Sequence, residues 1–338
     1  MVISLLTAAV LMLVVFAVLV NIQYRESLNK KSENPQDRRV YAHHYAMIVT
    51  DPQNEFWMSV YEGALEEATE NDAYVELFGS NLNSEYTEEE LMSMAIASGV
   101  DGIMLEPDGS TQVGLSIRTA SESGIPVVTL LRDVTSSPRV SYVGVSNYNL
   151  GQEYSEQIIN IIKSKNIESE TWNVMVLMDS SRDDSLQSIL FTTIQEAINS
   201  KEEIASTVHL EARSIENGST FETEEAIRSL FLEDELPDIM LCLDETSSAC
   251  VYQAIVDYNQ VGNVELIGYY TDKTLLSGIS KDIIHSTAGV DTYSMGSSAV
   301  KALNNYITTG YSSDYYSVDT YIIDGSNVAE YMEDDENE

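Results

Sequence analysis

From Tyr45 to about residue 325 the chain alternates short apolar runs with longer stretches of helical spacing. The apolar runs are nearly continuous, which is typical of parallel strands that are buried on both faces of a sheet. The predicted strands are Ala46–Thr50, Tyr74–Phe78, Gly102–Leu105, Val127–Leu131, Ser141–Val145, Val174–Met178, Ser206–Leu210, Ile239–Leu243, Glu265–Tyr269 and Ile283–Ala288.

Strands that alternate with helices predict an α/β fold with helices on both faces of each sheet. A single open sheet of this many strands would be unusually large, so two sheets of about five strands each fit the length better. We therefore expect two doubly wound, parallel-sheet lobes joined near Asn147. Ligands of such sheets bind at the carboxyl ends of the strands, so the residues that follow each strand are the first candidates for a site.

The amino-terminal segment has a different pattern. Residues 1–24 contain no charged side chain, and Val2 to Val20 are apolar apart from Ser4 and Thr7. About 20 such residues span a bilayer as a helix, so we predict a transmembrane anchor over 1–24 and a polar linker over 25–44. A cleaved signal peptide is the alternative, but its apolar run would be shorter and a small-residue cleavage site would follow it.

The charge balance narrows the possible partners. The chain has 55 acidic and 17 basic residues, a formal net charge of −38 and a pI of about 4.1. Such a surface repels phosphate backbones, which excludes nucleic-acid binding. Residues 326–338 form an acidic tail, whose acidic run, Glu333 to Glu338, we expect to be a solvated, disordered end. The two cysteines, Cys242 and Cys250, are expected to be buried free thiols rather than a disulfide, and their spacing is not that of a metal site.

The segment IVTDPQNEFW (48–57) resembles the first strand and helix start of type 1 periplasmic binding proteins, such as the ribose, galactose and xylose binders. Similar segments follow in order: VDGIMLEPDGS (100–110), SGIPVVTLLRDV (123–134), VSYVGVSNYNLGQ (140–152), MLCLDETSSACVYQAI (240–255) and ELIGYYT (265–271). Regulators of the lactose-repressor type share the fold but carry a DNA-binding motif where this chain has an apolar span.

The resemblance implies two lobes connected by three crossing strands. The amino-terminal lobe would comprise 45–146 plus 290–317, and the carboxy-terminal lobe 147–289 plus 318–325, which includes a last strand, Val318–Asp324. It also implies a body outside the cytoplasm on a single-pass anchor in the cell membrane. The basic residues Arg25, Lys30 and Lys31 follow the apolar span and favour the opposite orientation, although a large domain can translocate regardless of charge.

The resemblance also implies site residues. Asn54 matches a hydrogen-bonding asparagine of the family, Phe56 and Trp57 match aromatics that sandwich a sugar ring, and Arg132 matches an arginine that donates a forked pair of hydrogen bonds. Aromatic rings can stack on the flat apolar face of a pyranose, and a planar guanidinium can donate to its ring or hydroxyl oxygens. Hydrophobic packing at the start of a helix is the alternative role for Phe56 and Trp57.

The chain departs from the family at several positions. Leu131 and Tyr270 stand where the family usually has aspartates. Asp244 replaces a usual asparagine, and Val290 replaces a usual glutamine. The family also has an arginine in the loop after the sixth strand, for which Arg182 is the only candidate. Either the ligand is more apolar than an ordinary hexose, or other residues compensate. The candidates for compensation are Asp108, Asp291 and Tyr293. The predicted ligand-binding residues are Asn54, Phe56, Trp57, Arg132, Asp108, Asp244, Tyr270 and Asp291.

No phosphate-binding, dinucleotide-binding, zinc-protease or serine-hydrolase motif occurs, so we expect neither an enzyme nor a cofactor. The cluster at 179–184 is interpreted as a helix-capping loop. We predict a protein that binds a sugar or related polyol and delivers it to an ABC permease. A membrane-anchored sensor that acts on a two-component histidine kinase is the alternative, and a hydrolase or aldolase on a similar body is a third, weaker hypothesis.

Overall fold

The computed structural model describes residues 40–81, 86–110, 112–165, 171–180, 185–215 and 219–333. The predicted anchor, most of the predicted linker, Arg182 and residues 334–338 of the predicted tail lie outside these ranges. Within them, none of the helices has the length and apolar character that crossing a bilayer requires.

Strands and helices alternate through the described body as the hydrophobic pattern predicts. The strands are β1 His43–Ile48, β2 Ala73–Leu77, β3 Gly102–Leu105, β4 Val127–Leu130, β5 Ser141–Val145, β6 Trp172–Asp179, β7 Val208–Ile215, β8 Ile239–Cys242, β9 Glu265–Tyr269, β10 Ser286–Val290, β11 Tyr315–Val318 and β12 Thr320–Asp324. The helices are α1 Glu55–Glu70, α2 Glu88–Ser98, α3 Val113–Glu122, α4 Asn147–Ser164, α5 Ser185–Asn199, α6 Thr220–Leu230, α7 Glu245–Asp257, α8 Lys273–Ser280, α9 Thr292–Thr309 and α10 Val328–Glu333.

The strands form two six-stranded sheets, one in each lobe. The first has the order β11-β5-β4-β3-β1-β2 and is parallel throughout. The second has the order β12-β10-β9-β8-β6-β7 and is parallel except for β12, which runs antiparallel to β10. In each sheet the first strand of the lobe lies inside the sheet and the chain winds away from it in both directions. The fold is therefore two doubly wound α/β lobes.

Strand β1 shows why the apolar runs are continuous. Tyr45 and Met47 pack into the core cluster on one face of the first sheet, while Ala46 and Ile48 pack into a separate cluster on the other face. All four side chains are at most 1% exposed. Because successive side chains of a strand point to opposite faces, a strand covered by helices on both sides must be apolar at every position.

Helix α9 follows the last parallel strand of the second sheet but packs against α1 of the first lobe. The two helices meet at glycines: a Cβ on Gly63 would lie 2.0 Å from the Tyr293 carbonyl oxygen, and one on Gly296 would lie 1.8 Å from the Val60 carbonyl oxygen. Only glycine allows two backbones to approach this closely. The pair fixes α9, and with it the start of β11, to the amino-terminal lobe.

The chain passes between the two sheets three times: between β5 and α4, between β10 and α9, and between β11 and β12. The last two passages are joined, since the Asp291 backbone N–H donates to the Asp319 carbonyl over 3.0 Å.

The structure corrects some sequence expectations. The run Val318–Asp324, predicted as one strand, is two strands in different sheets separated by Asp319, because the chain changes lobes there. Within the predicted acidic tail, residues 328–333 form α10; Val328 is buried and Tyr331 stacks on Tyr321 with ring centroids 5.5 Å apart. Both cysteines are free thiols; Cys242 is buried as expected, whereas Cys250 is only partly buried.

Candidate ligand-binding cleft

A cavity of about 300 Å³ lies where the carboxyl ends of the strands of both sheets meet. This volume is at the small end of the range for ligand pockets, so a single small molecule fits. Its lining comes from both lobes and comprises Thr50, Asp51, Asn54, Phe56, Trp57, Glu106, Leu131, Arg132, Val145, Asn147, Leu150, Asp179, Gln187, Leu190, Leu243, Asp244, Glu245, Thr246, Tyr269 and Tyr270.

Aromatic rings form one wall of the cavity. Phe56 and Trp57 lie in the first turn of α1 and are each 5% exposed, with ring centroids 4.9 Å apart in an edge-to-face arrangement. Phe56 makes a second edge contact, also at 4.9 Å, with Tyr270 of the other lobe. This geometry is the preferred one for aromatic pairs, so the rings hold the two lobes together as well as lining the cavity.

Asn54 has two roles. Its Oδ1 accepts the Phe56 backbone N–H over 2.7 Å, which caps α1 and fixes the start of the helix that carries both aromatics. Its Nδ2 donates across the cleft to Glu245 Oε2 over 3.1 Å. Burial raises the pKa of Glu245, the hydrogen bond from Asn54 lowers it, and the neighbouring carboxylates of Asp272, Glu55 and Asp244 raise it further.

Arg132 is held against the cavity wall by the first lobe. Its Nη2 lies 3.3 Å from Glu106 Oε1, and its Nη1 donates to the Pro107 carbonyl over 3.1 Å. Glu106 is only 4% exposed, and its other oxygen accepts the Thr50 backbone N–H over 2.8 Å. Since a buried carboxylate needs such partners, Glu106 is a positioning residue for the guanidinium.

Leu131 and Tyr270 occupy equivalent places in the two lobes, each directly after a central strand. Both adopt the left-handed conformation, with φ of 59° and 70°. The backbone N–H of each donates to the next strand, Leu131 to Val143 and Tyr270 to Ala288. Both side chains line the cavity from opposite lobes. A non-glycine residue in this conformation is unfavourable by about 1 kcal/mol or more, so the surrounding hydrogen bonds must hold it.

Carboxylates follow two neighbouring strands of the second sheet. Asp179 is the last residue of β6 and is 8% exposed. The Gln187 side-chain amide makes two hydrogen bonds to its backbone: Oε1 accepts the Asp179 N–H over 2.8 Å, and Nε2 donates to the Asp179 carbonyl over 3.3 Å. Asp244 follows β8 and caps α7, accepting the Ser247 backbone N–H over 2.8 Å and the Ser247 hydroxyl over 2.7 Å. Both line the cavity.

Of the residues expected from the sequence, six line the cavity together: Asn54, Phe56, Trp57, Arg132, Asp244 and Tyr270. Two are elsewhere. Asp108 lines an adjoining cavity of about 750 Å³ within the first lobe. Asp291 caps α9, where it accepts the Ser294 backbone N–H over 2.9 Å, and it is outside the lining of both cavities.

Glu106, Asp179, Gln187 and Glu245 line the cavity but were not among the predicted ligand-binding residues. Glu106, Asp179 and Glu245 lie in the segments at strand ends that the sequence marks as candidates, whereas Gln187 lies inside a helix and has no such signal. Among the described residues, no group of histidine, cysteine or carboxylate side chains is arranged to hold a metal ion.

The family model for a periplasmic binding protein domain matches residues 45–311. Among solved structures, XylFII is 23% identical to this chain with a TM-score of 0.67; the match covers 83% of this chain and 98% of XylFII. GanP, a glucose-galactose binding protein from Geobacillus stearothermophilus, is 20% identical with a TM-score of 0.72, and the match covers 85% of this chain and 98% of GanP. The matching chain of a XylFII–LytSN complex is 24% identical with a TM-score of 0.68, and the match covers 84% of this chain and 98% of that one. No curated protein sequence matches this chain.

Proposed function

Because this chain belongs to the family of periplasmic binding protein domains, we propose that it captures one small, sugar-like molecule between its two lobes, outside the cytoplasm. The family match identifies it as a binding protein and not an enzyme, as its sequence predicts. The observation that carries the proposal is the cavity between the strand ends, which receives side chains from both lobes. GanP, a sugar-binding protein by its description, supports the ligand class.

The lining offers the groups that a sugar needs. Trp57 and Phe56 provide apolar surface for the flat face of a ring, and Arg132 provides fixed donors for its oxygens. The carboxylates of Asp179 and Asp244 accept hydrogen bonds from hydroxyl groups. Asp108 and Asp291, which are outside this lining, are not included in the proposed site.

Binding is coupled to the arrangement of the lobes. The contacts Asn54–Glu245 and Phe56–Tyr270 already join them. A ligand that touches both lobes adds to these contacts only when the lobes are closed, so it shifts the equilibrium towards the closed state. The three chain passages serve as the hinge, and the Asp291–Asp319 backbone hydrogen bond connects two of them.

We further propose that the chain divides into one lobe of 45–146 plus 290–317 and another of 147–289 plus 318–325. The sheet membership of the strands supports this division, except that Val290 lies in β10 of the second sheet and Val318 in β11 of the first. Delivery of the ligand to an ABC permease is the proposed physiological role. Attachment to the membrane through residues 1–24 remains a prediction from the sequence, since these residues lie outside the described ranges.

A sensory role is the second candidate function. Here the ligand-bound body would act on a membrane histidine kinase instead of a permease. The observation that favours it is the XylFII–LytSN complex, because it shows that a chain of this fold can assemble with a second protein.

The test of sugar capture is a thermal-unfolding screen of the full-length protein against pentoses, hexoses and polyols. A ligand at about 100 times its Kd stabilises the folded state by about 2.7 kcal/mol, a shift of several degrees. One or a few stereochemically related sugars should raise the unfolding temperature. If no compound of these classes does so, sugar capture is wrong.

A further inference from the structure

A second cavity, of about 750 Å³, lies beside the cleft within the first lobe. Strand β1 lies between β3 and β2, and the residues that follow these two strands continue the pairing. The Glu106 backbone N–H donates to the Ile48 carbonyl over 2.9 Å, and the Phe78 N–H donates to the Met47 carbonyl over 2.8 Å. Glu106 and Phe78 both line this first-lobe cavity. It therefore lies at the carboxyl ends of three parallel strands, where ligands of α/β sheets bind.

The first-lobe cavity and the cleft share a boundary. Thr50 and Glu106 line both of them, and Glu106 Oε2 accepts the Thr50 backbone N–H over 2.8 Å. In the loop that follows β1, Asp51 and Asn54 line the cleft, whereas Pro52 lines the first-lobe cavity. The two spaces thus adjoin along one loop and one side chain, so a single ligand of two parts can reach into both.

Apolar and aromatic side chains cover much of the first-lobe cavity. Six of them line it: Ile48, Val49, Pro52, Phe78, Tyr86 and Leu91. Burial also raises the pKa of the Glu88 carboxyl in this lining to about 7, as surroundings of low polarity do. An apolar group that enters the cavity leaves water, which is the main favourable contribution to binding in pockets of this kind.

Polar side chains of the same lining already bond to the protein. Glu88 Oε2 accepts the Asp108 backbone N–H over 2.6 Å, and the Ser80 hydroxyl donates to the Leu77 carbonyl over 2.7 Å. Thr87 caps α2. These groups are engaged before any ligand arrives, which favours an apolar occupant over a second sugar ring with hydroxyl groups of its own.

We propose that the ligand is a glycoside, with its sugar ring in the cleft and an apolar, aromatic aglycone in the first-lobe cavity; this inference rests on the proposed function. Phe78 and Tyr86 offer rings for edge or stacked contacts with the aglycone. A free sugar would fill the cleft alone and would leave the apolar lining of the first-lobe cavity exposed to solvent.

The test is calorimetric titration of the full-length protein with matched methyl and phenyl glycosides of D-xylose, D-glucose and D-galactose, in both anomeric forms. The free sugars and the disaccharides cellobiose and lactose complete the set. At least one phenyl glycoside should bind about tenfold or more tightly than its methyl partner, because the phenyl ring buries more apolar surface.

Variants locate the aglycone. Tyr86 is 43% exposed, so Tyr86→Ala removes a ring from the lining without opening the core. It should reduce the advantage of the phenyl glycoside about threefold or more and leave affinity for the methyl glycoside unchanged. Phe78→Leu, which keeps an apolar side chain, should act in the same direction. Tyr74→Ala is the matched control: Tyr74 is 42% exposed, lies in β2 and is outside the lining of both cavities, so both affinities should stay at the wild-type values.

The outcomes separate the two claims. If methyl glycosides bind as tightly as their phenyl partners, or if only free sugars bind, the inference is overturned and sugar capture stands. A disaccharide that binds more tightly than every phenyl glycoside would show that the second part of the ligand is a sugar. An undiminished phenyl advantage in both Tyr86→Ala and Phe78→Leu would place the aglycone elsewhere and overturn the inference. If no sugar of any of these kinds binds, the proposed function fails and the inference fails with it.

Discussion

Asn54 Nδ2 donates to Glu245 Oε2 across the cleft over 3.1 Å, while Asn54 Oδ1 caps the helix that carries Phe56 and Trp57. One side chain of the first lobe thus fixes the start of the helix that carries the two aromatic rings and contacts a carboxylate of the second lobe. The start of α1 and the start of α7 are positioned relative to each other through this amide.

The two roles of Asn54 can be separated by substitution. Asn54→Ala removes both the cap and the cross-lobe hydrogen bond and should lower the free energy of unfolding by about 1 kcal/mol. Asn54→Ser keeps a capping oxygen and should leave stability near the wild-type value. Both variants should weaken ligand binding. Urea unfolding measures the change in stability, and calorimetric titration with the ligand measures the change in affinity. Wild-type affinity in Asn54→Ser would show that the bond to Glu245 contributes nothing to closure.

The fluorescence of Trp57 should change when a ligand binds in the cleft. The chain has two tryptophans, and Trp172 begins β6, at the opposite end of that strand from Asp179. In a Trp172→Phe variant the fluorescence comes from Trp57 alone, and a saturable change on adding ligand is expected. Trp57→Ala should lose most of the affinity, since alanine removes the stacking surface. Unchanged affinity in Trp57→Ala would remove this residue from the site.

Gly296 should not tolerate a side chain. In Gly296→Ala the new Cβ meets the Val60 carbonyl at 1.8 Å, so α1 and α9 must separate. We expect a loss of about 1–3 kcal/mol in the free energy of unfolding, as for other overpacked cores.

Gly114 is the control for this change. It lies in α3, where an added Cβ finds its nearest neighbour, Val134 Cγ1, 3.9 Å away. Gly114→Ala should stabilise the protein by about 0.5–1 kcal/mol, because alanine favours helix. Denaturant unfolding measures both variants, and equal effects of the two substitutions would contradict the close approach.

Glu88 should make stability depend on pH. Burial raises its pKa from 4.5 to about 7, against the effect of the Asp108 backbone N–H, which donates to Oε2 over 2.6 Å. The folded state therefore binds this proton more tightly than the unfolded chain does. The stabilisation is complete below the unfolded pKa and is lost as pH rises through the folded pKa.

Glu88→Gln mimics the protonated form and keeps an acceptor for Asp108. Between about pH 5 and pH 8 the unfolding temperature of the wild type should fall relative to this variant, by a few degrees. A difference between the two proteins that is constant over this range would show that Glu88 titrates at its ordinary pKa.

The alternation of apolar runs and helical stretches was enough to predict two α/β lobes, because each buried strand must be apolar on both faces. The resemblance to type 1 periplasmic binding proteins, applied to residues near strand ends, named the six site residues that lie at one cavity. Neither line of reasoning separated strand ends that face the cleft from those that do not. Asp291 also follows a strand, but its carboxylate caps α9.

Backbone conformation and long-range charge were not readable from the sequence. Leu131 and Tyr270 stand where the family has aspartates, and the sequence gives no sign that both adopt the left-handed conformation at matching places, as the structure shows. Glu106 and Glu245 lie near strand ends, but nothing close to them in the sequence indicates their partners. Their roles depend on contacts with Arg132 and Asn54, which are distant in the sequence.

A crystal structure of the protein with its tightest-binding sugar tests most directly whether both lobes hold one small molecule. We predict ligand density that contacts Trp57 and Arg132 from one lobe and Asp244 from the other. A ligand bound by one lobe alone, or outside the space between these three side chains, would contradict capture between the lobes.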